Sequence, residues 1–271
     1  MIDQAPTGSY GHLCWAYDDP SAFVARAGEF VDEGLTTGQR VWYVADDGPP
    51  PALRRLAGLT EAIRRDAVRV VPLSTTYLGA RRVDPQAQVS AYAALTEQAL
   101  AAGFTGLRVV ADVTSLVRGP AERAAFARYE HLVDRYMRAR PMSALCAFDR
   151  RVLGDRAVDE LACLHPETNA SVLFRLFAAG PGEECALVGE LDPTNHELFR
   201  AALTHADPRG VDGRLEVSAA ELRYIDHRSL IHLDEHAGRH GVTAVLRTSR
   251  TAAARLVEVL SLSRVRVETA R

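Results

Sequence analysis

The sequence predicts an α/β protein in two parts, and three observations carry that expectation. Short, continuously apolar runs alternate with stretches of helical periodicity, turn-forming residues separate most of them, and Ala179-Gly180-Pro181-Gly182-Glu183-Glu184 divides a longer first series from a shorter second one. Runs apolar on both faces and joined by helices predict a mostly parallel sheet covered on both sides. At 271 residues the chain exceeds the usual single domain, so the expected division is 1–180 and 181–271.

In chain order, HLCWAY (12–17) reads as the first strand and Asp18-Asp19-Pro20 as a helix start. Phe23, Val24, Ala27, Phe30, Val31 and Leu35 keep helical spacing, and Gly38 permits the turn into RVWYVAD (40–46). Gly48 and three prolines precede a helix containing Leu53, Leu56, Leu59 and Ile63. VRVVPL (68–73) is the next strand, followed by a helix near 85–102 with Val89, Tyr92, Thr96 and Ala99 on its apolar face. LRVVADV (107–113) is a strand, and Gly119-Pro120 opens a helix to about Arg140. SALCAFD (143–149), a helix over 155–164 and VLFRLFA (172–178) complete the first part. In the second part strands are expected at 185–191, 214–217, in the segment to Ile225, at 242–247 and at 264–268. The helices between them are expected at 194–206, 227–239 and 251–261.

Composition excludes several function classes. Hydrophobic content of 47% with 25% charge describes a soluble globular chain, and a net charge of −3 gives no basic footprint for nucleic acid. Arg54-Arg55, Arg64-Arg65 and Arg81-Arg82 are short pairs read as solvated surface. All 32 basic residues are arginine, so a phosphate-binding lysine, a Schiff-base lysine and a lysine general base are excluded. MIDQAPTGSYGH lacks a basic segment leading into an apolar one, and no run of about 18 apolar residues occurs, so neither a secretory leader nor a membrane span is expected and a cytoplasmic location is. Cys14, Cys146, Cys163 and Cys185 show no CxxC spacing and are expected as free thiols, mostly buried.

Ligands of open parallel sheets sit beyond the carboxyl ends of the strands. Tyr17, Asp18, Asp46, Asp112 and Asp149 stand there, while His12 and Cys14 share one face of the first strand by their two-residue spacing. Cys146 lies in the strand before Asp149, and His165 follows the next helix. His12, Cys14, Tyr17, Asp18, Cys146, Asp149 and His165 are therefore the candidate ligand-binding set. Sulfur with imidazole suits zinc, but no closely spaced ligand pair anchors a site at His12, Cys146 and His165, so neither a metal nor another cofactor is expected. His232, His236 and His240 recur every four residues and are read as polar surface.

Two stretches resemble known families. CALVGELDPTNHELFRAAL (185–203), LEVSAAELRYIDHRSLIHLDEHAGRHG (215–241) and VTAVLRTS (242–249) resemble the STAS domain of anti-sigma factor antagonists, over roughly 183–271. Gly-Glu-Leu-Asp at 189–192 takes the place of the family's strand end, and Ile225-Asp226 that of its switch. In members that switch, Asp is followed by Ser, then Ser or Thr, then Gly. The first serine receives a phosphate of about −2 charge, which abolishes docking. Matched position by position, Asp226 is the helix cap, His227 replaces the acceptor, Arg228 the second hydroxyl and Ser229 the glycine. Ser229 would point about 200° around the helix from the acceptor direction. The resemblance implies a docking surface at Asp192, Asp226, His227, Arg228 and Ser229 without its serine switch, and an anti-sigma factor or sensor kinase as partner. Leu230, Leu233 and Ala237 behind it are expected in the core.

YGHLCWAYDD (10–19), RVWYVAD (40–46), LCAFDRR (145–151) and LACLHP (161–166) resemble the MEDS family, sensory domains associated with methanogens, methylotrophs and a dichloromethane-responsive repressor. This resemblance covers about 10–178 and implies a RecA/KaiC-like parallel-sheet N-terminal domain. Its first loop, AYDDPSAFVAR, has neither a glycine cradle nor a lysine, so the domain would be without a P-loop and without ATP hydrolysis. The family's role implies a small organic ligand. The expectation is a non-enzymatic signalling and transcription-regulatory protein, with a smaller C-terminal STAS-like α/β domain docking another protein. The alternatives are a ligand-independent scaffold, which admits a homo-oligomer, and a degenerate nucleotide- or metal-dependent enzyme. Against the enzyme stands the lack of GxSxG, HExxH or a Ser–His–Asp arrangement.

Overall fold

A computed structural model describes residues 11–45, 58–77, 82–180 and 183–269. Asp46, Leu53 and Leu56 lie outside them. The first sheet contains β1 (His12–Tyr17), β2 (Arg40–Val44), β3 (Val68–Val71), β4 (Leu107–Asp112), β5 (Met142–Asp149) and β6 (Glu167–Thr168). Their order is β3-β2-β4-β5-β1-β6, with every pair parallel. The helices α1 (Pro20–Thr36), α2 (Leu59–Arg64), α3 (Leu73–Thr76), α4 (Pro85–Ala101), α5 (Pro120–Ala139), α6 (Arg150–Leu153) and α7 (Asp155–Ala162) connect them.

The expected helix starts follow from local chemistry. Asp19 accepts a hydrogen bond from the Ser21 N–H at 2.9 Å, Asp84 does the same for Ala87 at 3.0 Å, and a proline follows each cap. The sheet is buried on both faces because its strands are apolar at successive positions, and β5 is buried throughout. Strand alternation sorts the core into two layers. Cys14, Ala16, Ala144, Cys146 and Phe148 face the layer of α4, α5 and α7, whereas Leu13, Tyr17, Leu145 and Ala147 face that of α1 and α2.

The second sheet is mixed. It contains β7 (Phe174–Phe177), β8 (Cys185–Leu191), β9 (Arg214–Ser218), β10 (Leu222–Ile225), β11 (Thr243–Arg247) and β12 (Val265–Glu268). Both β9 and β10 pair parallel to β8, at its start and its end respectively, and β9, β11 and β12 continue in parallel. The run at 172–178, grouped with the first part on sequence, pairs antiparallel with β8 and belongs to this second sheet. The reason is packing: Phe174 and Leu176 join the second core beside Leu187 and Phe199. Gly189 makes the pairing possible. Its φ is +92°, and a Cβ there would stand 2.2 Å from the Leu173 carbonyl oxygen.

The helices α8 (His196–Ala206), α9 (His227–Arg239) and α10 (Thr251–Val259) complete this part. Leu230, Leu233 and Ala237 are buried in its core, as the helical spacing predicts. Helix α5 joins the two parts. Arg128 donates to the carbonyls of Ala206 and Asp207 at the carboxyl end of α8, at 2.5 and 2.6 Å. Six residues further along, Asp134 accepts from the Ala178 N–H, just past β7, at 2.8 Å.

Candidate functional site

The candidate ligand residues separate into two groups. His12 opens β1, Cys146 lies in mid-β5 and His165 follows α7; all three point into the layer beneath α5, where Glu130 meets them. Their ligand atoms lie within 4.8 Å of one another. Relative exposure is 2% for His12, 0% for Glu130, 3% for Cys146 and 0% for His165, so the cluster is sealed from solvent. Cys14 pairs with Cys146 across the sheet but lies outside the four that converge.

Inside the cluster, Glu130 Oε2 is 2.8 Å from His12 Nε2 and 3.4 Å from His165 Nε2. Cys146 Sγ is 3.8 Å from His12 Nε2. His165 Nδ1 lies 2.9 Å from the Leu161 carbonyl oxygen, and His12 Nδ1 is 3.4 Å from Asp134 Oδ1. Glu130 Oε1, Glu130 Oε2, His165 Nε2 and His12 Nδ1 nevertheless have no hydrogen-bond partner of adequate geometry. Burial works against the Glu130 charge, yet the neighbouring His165 and His12 outweigh it and hold the carboxyl below its ordinary range. Burial also opposes charge on His12, but Glu130 and Asp134 raise its pKa well above the usual value. His165, buried and beside a cationic His12, is depressed to about 4, and burial pushes the Cys146 thiol up to about 12.

Tyr17, Asp18 and Asp149 are elsewhere. Tyr17 is one residue out of phase with His12 and Cys14, so the two-residue repeat turns it to the α1 layer, where it donates to Asp112 Oδ2 at 2.5 Å. Asp112 accepts from Thr114 N, Thr114 Oγ1 accepts from Asp149 N, and Asp149 binds Arg151 at 2.7 Å. Asp18 is exposed at the same sheet end. These groups satisfy one another rather than converge on a common point.

Glu130 and Asp134 were missed from sequence. The signal was present: on α5 they stand four residues apart inside the buried stripe Phe126, Val133 and Met137, where an amphipathic helix would otherwise place apolar side chains.

In the second part, Asp226 caps α9 by accepting from Ser229 N at 2.8 Å. Asp226 and Ser229 are 2% and 0% exposed, which corrects their expected place in a docking surface: neither presents a side chain to a partner. The first turn of α9 packs inward at these two positions and leaves His227 and Arg228 exposed. Arg228 donates to His196 Nε2 at 3.0 Å, and the His196 ring stacks on His232 at 5.8 Å, with Glu197 adjacent. Asp192 turns onto Thr194 at the start of the same face, at 2.8 Å.

His236 corrects the reading of the three histidines as surface. It is buried over the loop after α8, its Nε2 3.0 Å from the Pro208 carbonyl oxygen, while His240 contacts Asp207 at 2.8 Å. Burial lowers the His236 pKa. The four cysteines are free and buried.

No helix among the described residues is long and apolar enough to cross a membrane. Fold and site together define a mixed α/β protein whose first, parallel-sheet part encloses a convergent polar cluster. That part, residues 11–166, matches the MEDS family, described as the MEthanogen/methylotroph, DcmR Sensory domain. The match spans more than half of the chain, and the chain belongs to this family. No curated protein and no solved structure matches it.

Proposed function

We propose that the protein is a non-enzymatic signalling regulator in which the MEDS part senses and the second part, read as STAS-like, docks another regulatory protein. The observation that carries this reading is the double attachment of α5. Glu130 and Asp134 line the cluster of the sensory part, while Arg128 on the same helix grips the end of α8. A change in the sensory part therefore reaches the other core through one rigid element, which is the kind of coupling that shifts a two-state equilibrium.

Several observations support the finer assignments. For a STAS-like second part they are the antiparallel edge strand β7, the parallel strands beyond it and the Asp226 cap with His227 and Arg228 exposed beside it. For a RecA/KaiC-like first part without nucleotide chemistry they are the parallel sheet and the α1 terminus, which Asp19 caps with its own carboxylate. The four residues of the His12 cluster are buried among the described residues. We place the small ligand instead in the cleft of about 630 Å³ between α7 and α8, bordered by Arg156, Asp159, Val172, Asn195 and Leu198. An anti-sigma factor or sensor kinase would dock at His227 and Arg228.

Hydrogen exchange tests the coupling. Short-chain organic compounds shown by calorimetry to bind the full chain should change protection at both 126–134 and 225–232. Unchanged exchange at 225–232 with a compound verified as bound would defeat the proposal. Charge reversal by Arg228→Glu should weaken a captured partner at least about tenfold while the fold is kept.

A further inference from the structure

We propose that His12, Glu130, Cys146 and His165 form a closed four-ligand site for a divalent transition-metal ion, with zinc the best match to its donors and geometry. The inference rests on the cluster alone and stands whether or not the chain docks a partner.

Convergence is the first reason. Tetrahedral ligands bound at about 2.0–2.3 Å stand roughly 3.3–3.7 Å apart. Three of the six separations among His12 Nε2, Glu130 Oε2, His165 Nε2 and Cys146 Sγ are 2.8, 3.4 and 3.8 Å, which bracket that range, and all six lie within 4.8 Å. Two imidazoles, one thiolate and one carboxylate are donors of the type zinc takes.

The second reason is polar satisfaction. Buried polar atoms are almost always bonded, yet both Glu130 oxygens and His165 Nε2 are not, and the residues are 0% exposed. Of these, Glu130 Oε2 and His165 Nε2 face each other inside the cluster. The 2.8 Å approach of His12 to Glu130 lacks hydrogen-bond geometry, so proximity alone does not satisfy the carboxylate. A cation at the centre would satisfy Glu130 Oε2 and His165 Nε2 at once.

The outer nitrogens supply the third reason. Metal-bound histidines hold their second ring N–H against a carbonyl or carboxylate, which fixes the tautomer and aims the free nitrogen at the ion. His165 Nδ1 meets the Leu161 carbonyl oxygen at 2.9 Å, while His12 Nδ1 stands 3.4 Å from Asp134 Oδ1 without a hydrogen bond of adequate geometry. Asp134 is itself fixed by the Ala178 N–H. Both Nε2 atoms consequently converge on the side occupied by Glu130 and Cys146.

Charge points the same way. A dication with one carboxylate, one thiolate and two neutral imidazoles is a neutral unit, and the burial of isolated charge is relieved. On loading, the Cys146 S–H bond breaks, the sulfur–metal bond forms and the proton passes to water. Any proton on His12 follows it, and nothing is oxidised or reduced.

The test uses the full chain in two ways. Protein purified from zinc-supplemented cells without chelators should carry about one equivalent of metal by elemental mass spectrometry. Protein unfolded with a chelator and refolded with cobalt(II) should show the intense visible bands of a tetrahedral ion and a thiolate-to-cobalt band in the near ultraviolet. Cys146→Ser should remove the ultraviolet band and keep visible ones, and Glu130→Gln should weaken cobalt affinity at least about tenfold. Should refolding fail, the metal content of purified wild-type protein decides. Less than about a tenth of an equivalent in folded protein would overturn the site, as would cobalt spectra that are the same in wild type and Cys146→Ser.

Discussion

Two histidine-bearing clusters in this chain use the same residue types to opposite effect. In the first part, His12, His165 and Glu130 lie sealed under α5, and every charge there must be answered by a neighbour. In the second, His196, His232 and Glu197 gather on the first turns of α8 and α9, where Glu197 is exposed and the two histidines are partly buried. The comparison teaches that burial, not composition, decides what such a cluster can do.

The sharpest way to break that contrast is Glu130→Ala. Removing one member of a buried charged set leaves the rest uncompensated, and a loss of about 3–5 kcal/mol in urea unfolding is expected. His227→Ala in the exposed region should leave the midpoint unmoved, and equal effects at the two sites would collapse the distinction. Arg128→Ala removes the charged donor to two carbonyls at the junction. It should cost about 1.5–3 kcal/mol and increase proteolysis near 206–210, and a wild-type digestion pattern would show that α5 does not hold α8.

A smaller effect is expected from Asp226→Ala, about 1 kcal/mol, because it strips the cap of α9 and leaves the Ser229 N–H buried and unpaired. Asp226→Asn should recover most of it if capping is the role, as circular-dichroism melts would show. The smallest effect concerns pH. The folded pKa of His236 lies below its unfolded value near 6.5, so its contribution is full above that pH. It declines as the pH falls through the window beneath, where the unfolded chain takes up a proton the folded one refuses. Denaturation midpoints at pH 7.5 and 5.5 should differ less in His236→Gln than in wild type, and an unchanged slope would count against it.

Much of the fold could be read directly. Continuous apolar runs located the long strands β1, β4, β5 and β8, and Asp19-Pro20 and Gly119-Pro120 marked the starts of α1 and α5. Short pieces escaped: α3, α6 and the two-residue β6 are too brief to show a period. The strand at 174–177 was seen but placed with the wrong sheet, since an apolar alternation says that a strand exists and not which edge it joins. In the site, His12, Cys146 and His165 could be suggested from strand phase. Glu130 could not be connected with them, because more than a hundred residues separate it from His12 and only the sheet order brings β1 beside β5 under α5.

By itself the sequence determined the α/β class, the alternation of strand and helix, the absence of any lysine chemistry and the cap at Asp226, all of which depend on neighbours a few residues apart. Only the tertiary structure decided that two carboxylates of α5 face two histidines from opposite ends of the first part, and that Ser229 and His236 turn inward while His227 and Arg228 turn out. Local periodicity fixes the direction of a side chain relative to its own element, whereas what that side chain meets is fixed by the packing of elements distant in the chain.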